Sequence, residues 1–306
     1  MADTLILDVP ETLDGARVDK ALSTLLGVSR FVARQLLDLG VALDGRPARP
    51  RDRVHTGSQI ETPHPVVETA LRPEEVDFEV LYEDATLLVV DKPTGVVVHP
   101  GSGTREGTLA AGLLHRYPEL EGVGDSGRWG LIHRLDKDTS GTLIVARTPE
   151  AHRVLSADLA ARKIGRTYTT LAHGLFPVPT GTIEAPIGRD PSRPTRRAVI
   201  PTGKPAITHY EVVEEFSGNE VSLLEVRLET GRTHQIRVHL AAIEHPIIGD
   251  RTYSPFNTSV KSPRVFLHAR RVRLVHPDSL DLLEVESPLP PDLTKVLERI
   301  RSGTNP

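Results

Sequence analysis

The chain contains no cysteine. Disulfides, thiolate metal sites and cysteine nucleophiles are therefore all excluded. No apolar run approaches the roughly 18 residues that would span a bilayer. Residues Met1 to Pro10 show no basic stretch leading into an apolar one, so a secretory leader is not expected. These absences make a cytoplasmic enzyme the default expectation. Nucleotide-binding signatures are also missing. After Gly101-Ser102-Gly103 the next glycine is Gly107, one position late for a dinucleotide loop, and no Gly-Lys-Ser/Thr ends a phosphate loop. His234, His239 and His245 do not have the spacing of a zinc hydrolase helix. Asp136, Asp138, Ser140 and Gly141 imitate the start of a calcium loop, but the twelfth position holds Arg147 where a bidentate Glu is needed. No metal and no cofactor are expected.

What is present is an ordinary globular composition, 38% apolar and 25% charged over 306 residues, enough for one large domain or two unequal ones. The net charge of −4 hides an uneven distribution. Glu68 to Asp91 carries eight acids and one arginine; Arg227 to Arg273 carries nine basic residues and three acids. Arg30, Arg34, Arg46, Arg49, Arg51 and Arg53 form another basic run. Such patterning fits either a solvated mixed surface or a positive binding face on an acidic protein.

Two textures divide the chain. In residues 14–64, Val18, Ala21, Leu22, Leu25 and Leu26 recur at helical spacing. Ser29 is placed to cap a second helix that Gly40 stops. Val41 to Leu43 then meets the hairpin signal Asp44-Gly45, with a later strand expected over Val54 to Glu61. Pro63, Pro65 and Pro73 bracket a glutamate-rich linker, residues 65–77. Residues 78–303 read as a second domain of short strands, among them Leu87–Val90, Leu143–Ala146, Val221–Leu228 and Val265–Leu267. Helices are expected over Thr108–Tyr117, Glu150–Arg162 and Pro290–Arg301. The expectation is an α+β protein: a sheet-dominated domain preceded by a small α/β module.

The segment Gly130 to Gly141, Gly-Leu-Ile-His-Arg-Leu-Asp-Lys-Asp-Thr-Ser-Gly, crowds ionisable groups into a turn just before an apolar strand. Taken alone, Asp138, Thr139 and Ser140 could simply cap and shape that turn. The run from His133 to Gly141 resembles the catalytic signature of the RluA/RluD family of pseudouridine synthases, most closely its RluD-like members. Asp91-Lys92-Pro93-Thr94-Gly95 with His99-Pro100-Gly101, and Gly231 to His239 with His245 to Asp250, resemble two more motifs of that family, in the same order. Residues 14–64 separately resemble an S-four-type RNA-binding module.

The resemblance implies a mixed, mostly antiparallel β-sheet in the catalytic domain, and an RNA-modifying isomerase with Asp136 as its carboxylate, Arg237 as the partner of that carboxylate and Tyr168 as a pocket ring. It further implies that Arg134 fills the space a flipped base leaves, that His133 shapes the turn, and that Arg232, His234 and Gln235 border the substrate. A buried carboxylate needs a cationic partner to stay charged, which is the work an arginine would do. Without the family, Arg237 reads as a surface charge on a strand and Tyr168 as a core ring. Arg189, Arg193, Arg196, Arg197 and Lys204, in a Pro-rich insertion, would grip phosphates without reading bases. RNA is the implied partner, large-subunit ribosomal RNA or its assembling particle first and tRNA second. No membrane partner is implied, and a monomer is expected. A non-catalytic RNA-binding or ribosome-assembly factor, and a carboxylate-dependent nucleoside or glycoside hydrolase, are the alternatives from other classes. Retained RNA mass with altered base linkage would separate the first reading from both.

Overall fold

The computed structural model describes residues 4–28, 30–63, 71–101, 104, 106–124, 128–193, 195–254 and 260–303, with only the backbone of Arg30 and Phe31. Ser29, His64, Ser102, Gly103 and residues 65–70 of the sequence-assigned linker lie outside the described residues. Two compact units emerge, residues 1–72 and 73–306 apart from 125–127.

The first unit contains β1 (Thr4–Asp8), α1 (Val18–Leu25), α2 (Arg30–Gly40), β2 (Ala42–Leu43), β3 (Arg46–Pro47) and β4 (Gln59–Pro63). Its antiparallel sheet runs β1-β4-β2-β3. The Asp44-Gly45 hairpin forms as its sequence directs, with both residues at positive φ. Val18, Ala21 and Leu22 of α1 and Val32, Ala33, Leu36 and Leu37 of α2 close over Val54 and Ile60 in one apolar core. The strand expected from Val54 begins only at Gln59. Val54 is instead spent on loop bonds to Gly15 and Ala16. Arg46, Arg49, Arg51 and Arg53 are exposed. Arg53 donates to the Gly15 carbonyl at 2.6 Å, and Arg34 shares the buried Asp19 carboxylate with Arg17.

The second unit is built on a nine-stranded sheet. Its elements are β5 (Glu79–Glu83), β6 (Leu87–Lys92), α3 (Leu109–Arg116), β7 (Ser140–Ala146), α4 (Pro149–Ala160), β8 (Gly165–His173), β9 (Thr180–Glu184), β10 (Ile187–Arg189), β11 (Arg197–Val199), β12 (Ile207–Phe216), β13 (Val221–Leu228), α5 (Gln235–Ala242), β14 (Leu267–Val275), β15 (Leu282–Glu286) and α6 (Pro291–Arg301). The strand order is β5-β6-β7-β14-β8-β13-β12-β9, and β15 pairs with β14. Among the described residues only β7 and β14 run parallel, and briefly, so the sheet is mixed and mostly antiparallel. The hairpin β10-β11 stands apart from it.

The strand β7 is buried along its whole length, as the run Thr-Leu-Ile-Val-Ala demands when both faces are covered. Ile144 and Ala146 pack with Leu87, Val89, Val272 and Leu274, roofed by Ala151 and Leu155 of α4. At its first turn Gly141 sits at φ 117°, and a Cβ there would fall 2.2 Å from the Ala269 carbonyl oxygen. Glycine thus lets β7 close on β14 where the ionisable turn ends. The strand expected over Val265–Leu267 begins at Leu267 and continues to Val275. Pro73 to Asp77, from the sequence-assigned linker, approach α3: the Glu74 amide donates to Ala111 and its carboxylate accepts from Gly107.

Candidate active site

The turn before β7 places Asp136 at the middle of the sheet. Its carbonyl accepts from the Thr139 amide at 3.1 Å, which closes the turn. Three outside groups hold that turn. Lys92, wholly buried at the end of β6, donates from Nζ to the carbonyls of Pro93 at 2.6 Å, Val96 at 2.8 Å and Lys137 at 3.1 Å. Burial brings its pKa down to about 7, helped by the charge of Arg264 and opposed by Asp136 and other carboxylates. Arg264 donates to the Asp138 carbonyl and the Ser140 hydroxyl, and pairs with Asp292 at the start of α6 at 2.7 Å. The Gly95 amide donates to the Lys137 carbonyl at 2.9 Å. The backbone under Asp136 is therefore fixed from β6, from the segment before β14 and, through Asp292, from α6.

The carboxylate itself meets α5. Arg237 Nη1 donates to Asp136 Oδ2 at 3.1 Å, while Arg237 Nε and Nη2 donate to Asp250 at 2.7 and 3.0 Å. One guanidinium thus links a carboxylate that retains 18% side-chain exposure to one that retains none. Burial opposes the charge on Arg237, but the two carboxylates outweigh it and its pKa is raised. Burial would likewise raise Asp250; the bonds from Arg237 and from the amides of Thr252 and Tyr253 hold it below the ordinary value.

Sequence periodicity misplaces Arg237. Ile236, Val238 and Leu240 alternate with polar residues as a strand would. The segment is a helix because its start is locked. Gln235 Oε1 accepts from the Arg232 amide and the Thr230 hydroxyl, while its amide group donates to Ile207 and Thr208. His239 is also buried, bonded to Thr208 and Ala185, so this helix is covered on more than its apolar stripe.

Tyr253 has no counterpart in the sequence reading. Its ring lies 5.2 Å from the Arg237 guanidinium carbon and 5.3 Å from that of Arg196. Its hydroxyl accepts from the Arg197 amide at 2.9 Å and lies 2.8 Å from His234 Nδ1. Both contacts are satisfied when Tyr253 donates to Nδ1. The ring proton of His234 is then on Nε2, 3.9 Å from Asp136. Burial lowers the pKa of His234, partly opposed by Asp136. Tyr168 on β8 is buried, and its phenol pKa is raised by burial and by Asp136, with Arg166 opposing.

The sequence-assigned residues therefore separate. Asp136, Arg237 and His234 are in direct contact, and Tyr168 lies within the field of the same carboxylate. Arg134 is exposed two residues before Asp136. His133 turns inward, where its Nε2 accepts from the Ile144 amide at 3.3 Å. The side-chain amide of Gln235 is consumed by the backbone and two hydroxyls, and Arg232 donates to the Pro205 carbonyl. Arg196 and Arg197 meet Tyr253 at the loop end of the β10-β11 hairpin, and Arg189, Arg193 and Lys204 are exposed. Sequence reasoning missed Asp250 and Arg264. Asp250 closes the His245 to Asp250 motif but reads as a turn former, which it also is through the Thr252 and Tyr253 amides. Among the described residues no three acidic or histidine side chains converge as metal ligands. Nor is any described helix long and apolar enough to cross a membrane.

Three histidines, His133 buried and His99 and His173 partly so, are held in the neutral form. Burial brings His133 to about 3, His99 to about 4 and His173 to about 4, the first two helped by neighbouring arginines. An unfolded imidazole takes its proton near 6.5, before the folded one does. Stability from these groups is then complete above about pH 6.5 and is lost as pH falls toward 4. The melting temperature should accordingly fall steeply from pH 6.5 to 4; a flat profile across that window would show that the rings are not held neutral.

The sequence pattern of the family described as "RNA pseudouridylate synthase" matches residues 86–242. The ribosomal large subunit pseudouridine synthase D of Nitrosomonas europaea is 42% identical, over 98% of this chain and 89% of its own length. That of Escherichia coli K12 is 38% identical over 97% and 94%. Among solved structures, human RNA pseudouridylate synthase domain containing 1 superposes with a TM-score of 0.56 at 27% identity, covering 75% of this chain and 97% of its own.

Proposed function

The chain belongs to the RNA pseudouridylate synthase family, and from that premise we propose that it converts uridines of large-subunit ribosomal RNA to pseudouridine in the cytoplasm, with Asp136 as the catalytic carboxylate. It is an isomerase. The bond from ribose C1′ to uracil N1 breaks, the base turns, C1′ joins C5, and the C5 proton is lost as N1 gains one. Nothing is oxidised or consumed. The observation that carries the assignment is the pairing of Asp136 with Arg237. A carboxylate fixed by a guanidinium on a turn held from three sides can act on C1′, as nucleophile or through the neighbouring ribose proton.

The surrounding groups support distinct roles. Arg237 orients Asp136 and is itself oriented by Asp250. The raised pKa of Tyr168 favours a phenol that stacks on the base over a standing phenolate. Arg134, exposed beside the carboxylate, is placed to occupy the gap left by a base taken out of its stack, a step costing a few kcal/mol. His133 and Gln235 shape the loops and α5. The choice of large-subunit RNA rests on the two bacterial relatives named above, each called a large-subunit enzyme. Tritium release from C5-labelled uridine in that RNA tests the reaction; release of free uracil would instead indicate hydrolysis.

The exposed arginines of the first unit supply phosphate contacts, and residues 14–64 act as an RNA-binding domain tethered to the catalytic one. A chain lacking residues 1–70 should then fold and react, but bind its RNA with a shallower salt dependence. The log–log slope should drop by about 0.7–0.9 for each phosphate that the truncated chain no longer neutralises. Equal slopes for both forms would refute the electrostatic role, and an unfolded product would refute the division.

A further inference from the structure

The residues just upstream of the catalytic turn carry an unexplained geometry. Trp129, the chain's only tryptophan, has φ 47°, a conformation that bulky residues rarely adopt. Gly130 follows at φ 75°, and a Cβ there would lie 2.1 Å from the Ala146 carbonyl oxygen. This second left-handed residue is thus fixed as glycine by the close approach of β7, and the pair of turns sets the direction of the indole.

That ring does not enter the core. Trp129 remains half-exposed, and no described guanidinium lies over its face. Its one ring neighbour among the described residues is His99, at 6.1 Å between centroids and tilted by 37°. Neither nitrogen of His99 has a hydrogen-bond partner among the described residues, although both are buried. Arg128 and Arg134 are exposed on either side of the indole in sequence, and their charges both bear on His99. A tryptophan in the core would be covered, and one kept for stability would not need a disfavoured backbone. Strain at an open aromatic ring beside two exposed cations is the composition of a site for a base and its phosphate.

We propose that Trp129, backed by His99, is a stacking platform for an unpaired nucleobase of the bound RNA, with Arg128 on that nucleotide's phosphate. Gly130 bonds to Ala146 at the end of β7, whereas Asp136 precedes its start, so the platform takes a base several nucleotides from the target uridine. The inference rests on the reading of Asp136 and Arg134 above. Every base offers a π face, so the platform selects for an unpaired segment and not for its identity.

The single tryptophan makes the test direct. Full-length wild-type and Asp136→Asn protein are titrated with a short single-stranded RNA of mixed sequence and with a fragment of large-subunit ribosomal RNA, while indole fluorescence is followed. Stacking predicts saturable quenching in both proteins. Trp129→Phe should keep KM near the wild-type value. Trp129→Asn, a residue suited to the left-handed region, should raise KM about tenfold with kcat little changed, the scale of one base–ring stack. Unquenched fluorescence at saturating RNA, or a Trp129→Asn variant with normal KM, overturns the platform. A fall confined to kcat also overturns it, because it would mark a purely structural residue. The reading of Asp136 fails separately, by an active Asp136→Asn variant, whatever the indole reports.

Discussion

Asp136→Asn yields a folded protein that binds RNA and makes no measurable pseudouridine. Asparagine keeps the shape of the side chain and an oxygen that can accept from Arg237 Nη1, now 3.1 Å away. Arg237 keeps its two bonds to Asp250 as well. The guanidinium is therefore not stranded, and the melting temperature should hardly move. The charge and the reactive oxygen disappear. A positioned acid or base contributes about two to four orders of magnitude, and a nucleophile at the reacting carbon more, so turnover should fall by at least about a thousandfold. Tritium release measures it. Substantial activity in a folded variant would remove Asp136 from the chemistry.

Arg237→Ala strikes two carboxylates at once. Asp136 loses its partner on one side and Asp250, whose side chain is fully buried, loses it on the other. Breaking a buried pair by removing one member costs on the order of 3–5 kcal/mol, since the remaining charge loses its counter-charge, and Asp250 would keep only the amides of Thr252 and Tyr253. Stability and turnover should both drop severely, although Arg237 touches no bond that breaks. Adding Asp250→Asn separates the effects. It removes the stranded buried charge and should restore much of the melting temperature. Activity should stay low, because Asp136 remains without its cation. A near-normal rate in Arg237→Ala would mean that the pairing does not serve catalysis.

The contrast between these two residues shows where the sequence is informative. Asp136 could be singled out because nine consecutive residues, His133 to Gly141, form one local run that resembles a family signature, although its polar residues alone could equally cap and shape a turn. The pairing with Arg237 spans 101 residues and leaves no local trace. It was reached only through resemblance. The helix carrying Arg237 was illegible for a physical reason, namely that Ile236, Val238 and Leu240 alternate. The lock at Gln235 depends on Thr230, Arg232, Ile207 and Thr208 folding around it. Tyr253 and Arg264 were missed for the same cause. Arg264 meets Asp138 and Asp292 across 126 and 28 residues, and such bonds exist only once the sheet has formed. Local rules did better where local physics decides. Asp44-Gly45 forms its hairpin, and α3 starts where Thr108 caps it by accepting from the Ala111 amide. The dominance of strands in the second unit followed from short β-branched runs, but strand starts at Gln59 and Leu267 were set by tertiary bonds.

Isomerisation of large-subunit ribosomal RNA through Asp136 can be read from a nucleotide-resolution map of pseudouridine in cells lacking the gene, complemented with the wild-type protein or with Asp136→Asn at equal abundance. Particular uridines of large-subunit ribosomal RNA should lose the modification, regain it with the wild-type protein and stay unmodified with Asp136→Asn. An unchanged ribosomal map, with the loss confined to tRNA, would contradict the substrate, and restoration by Asp136→Asn would contradict the mechanism.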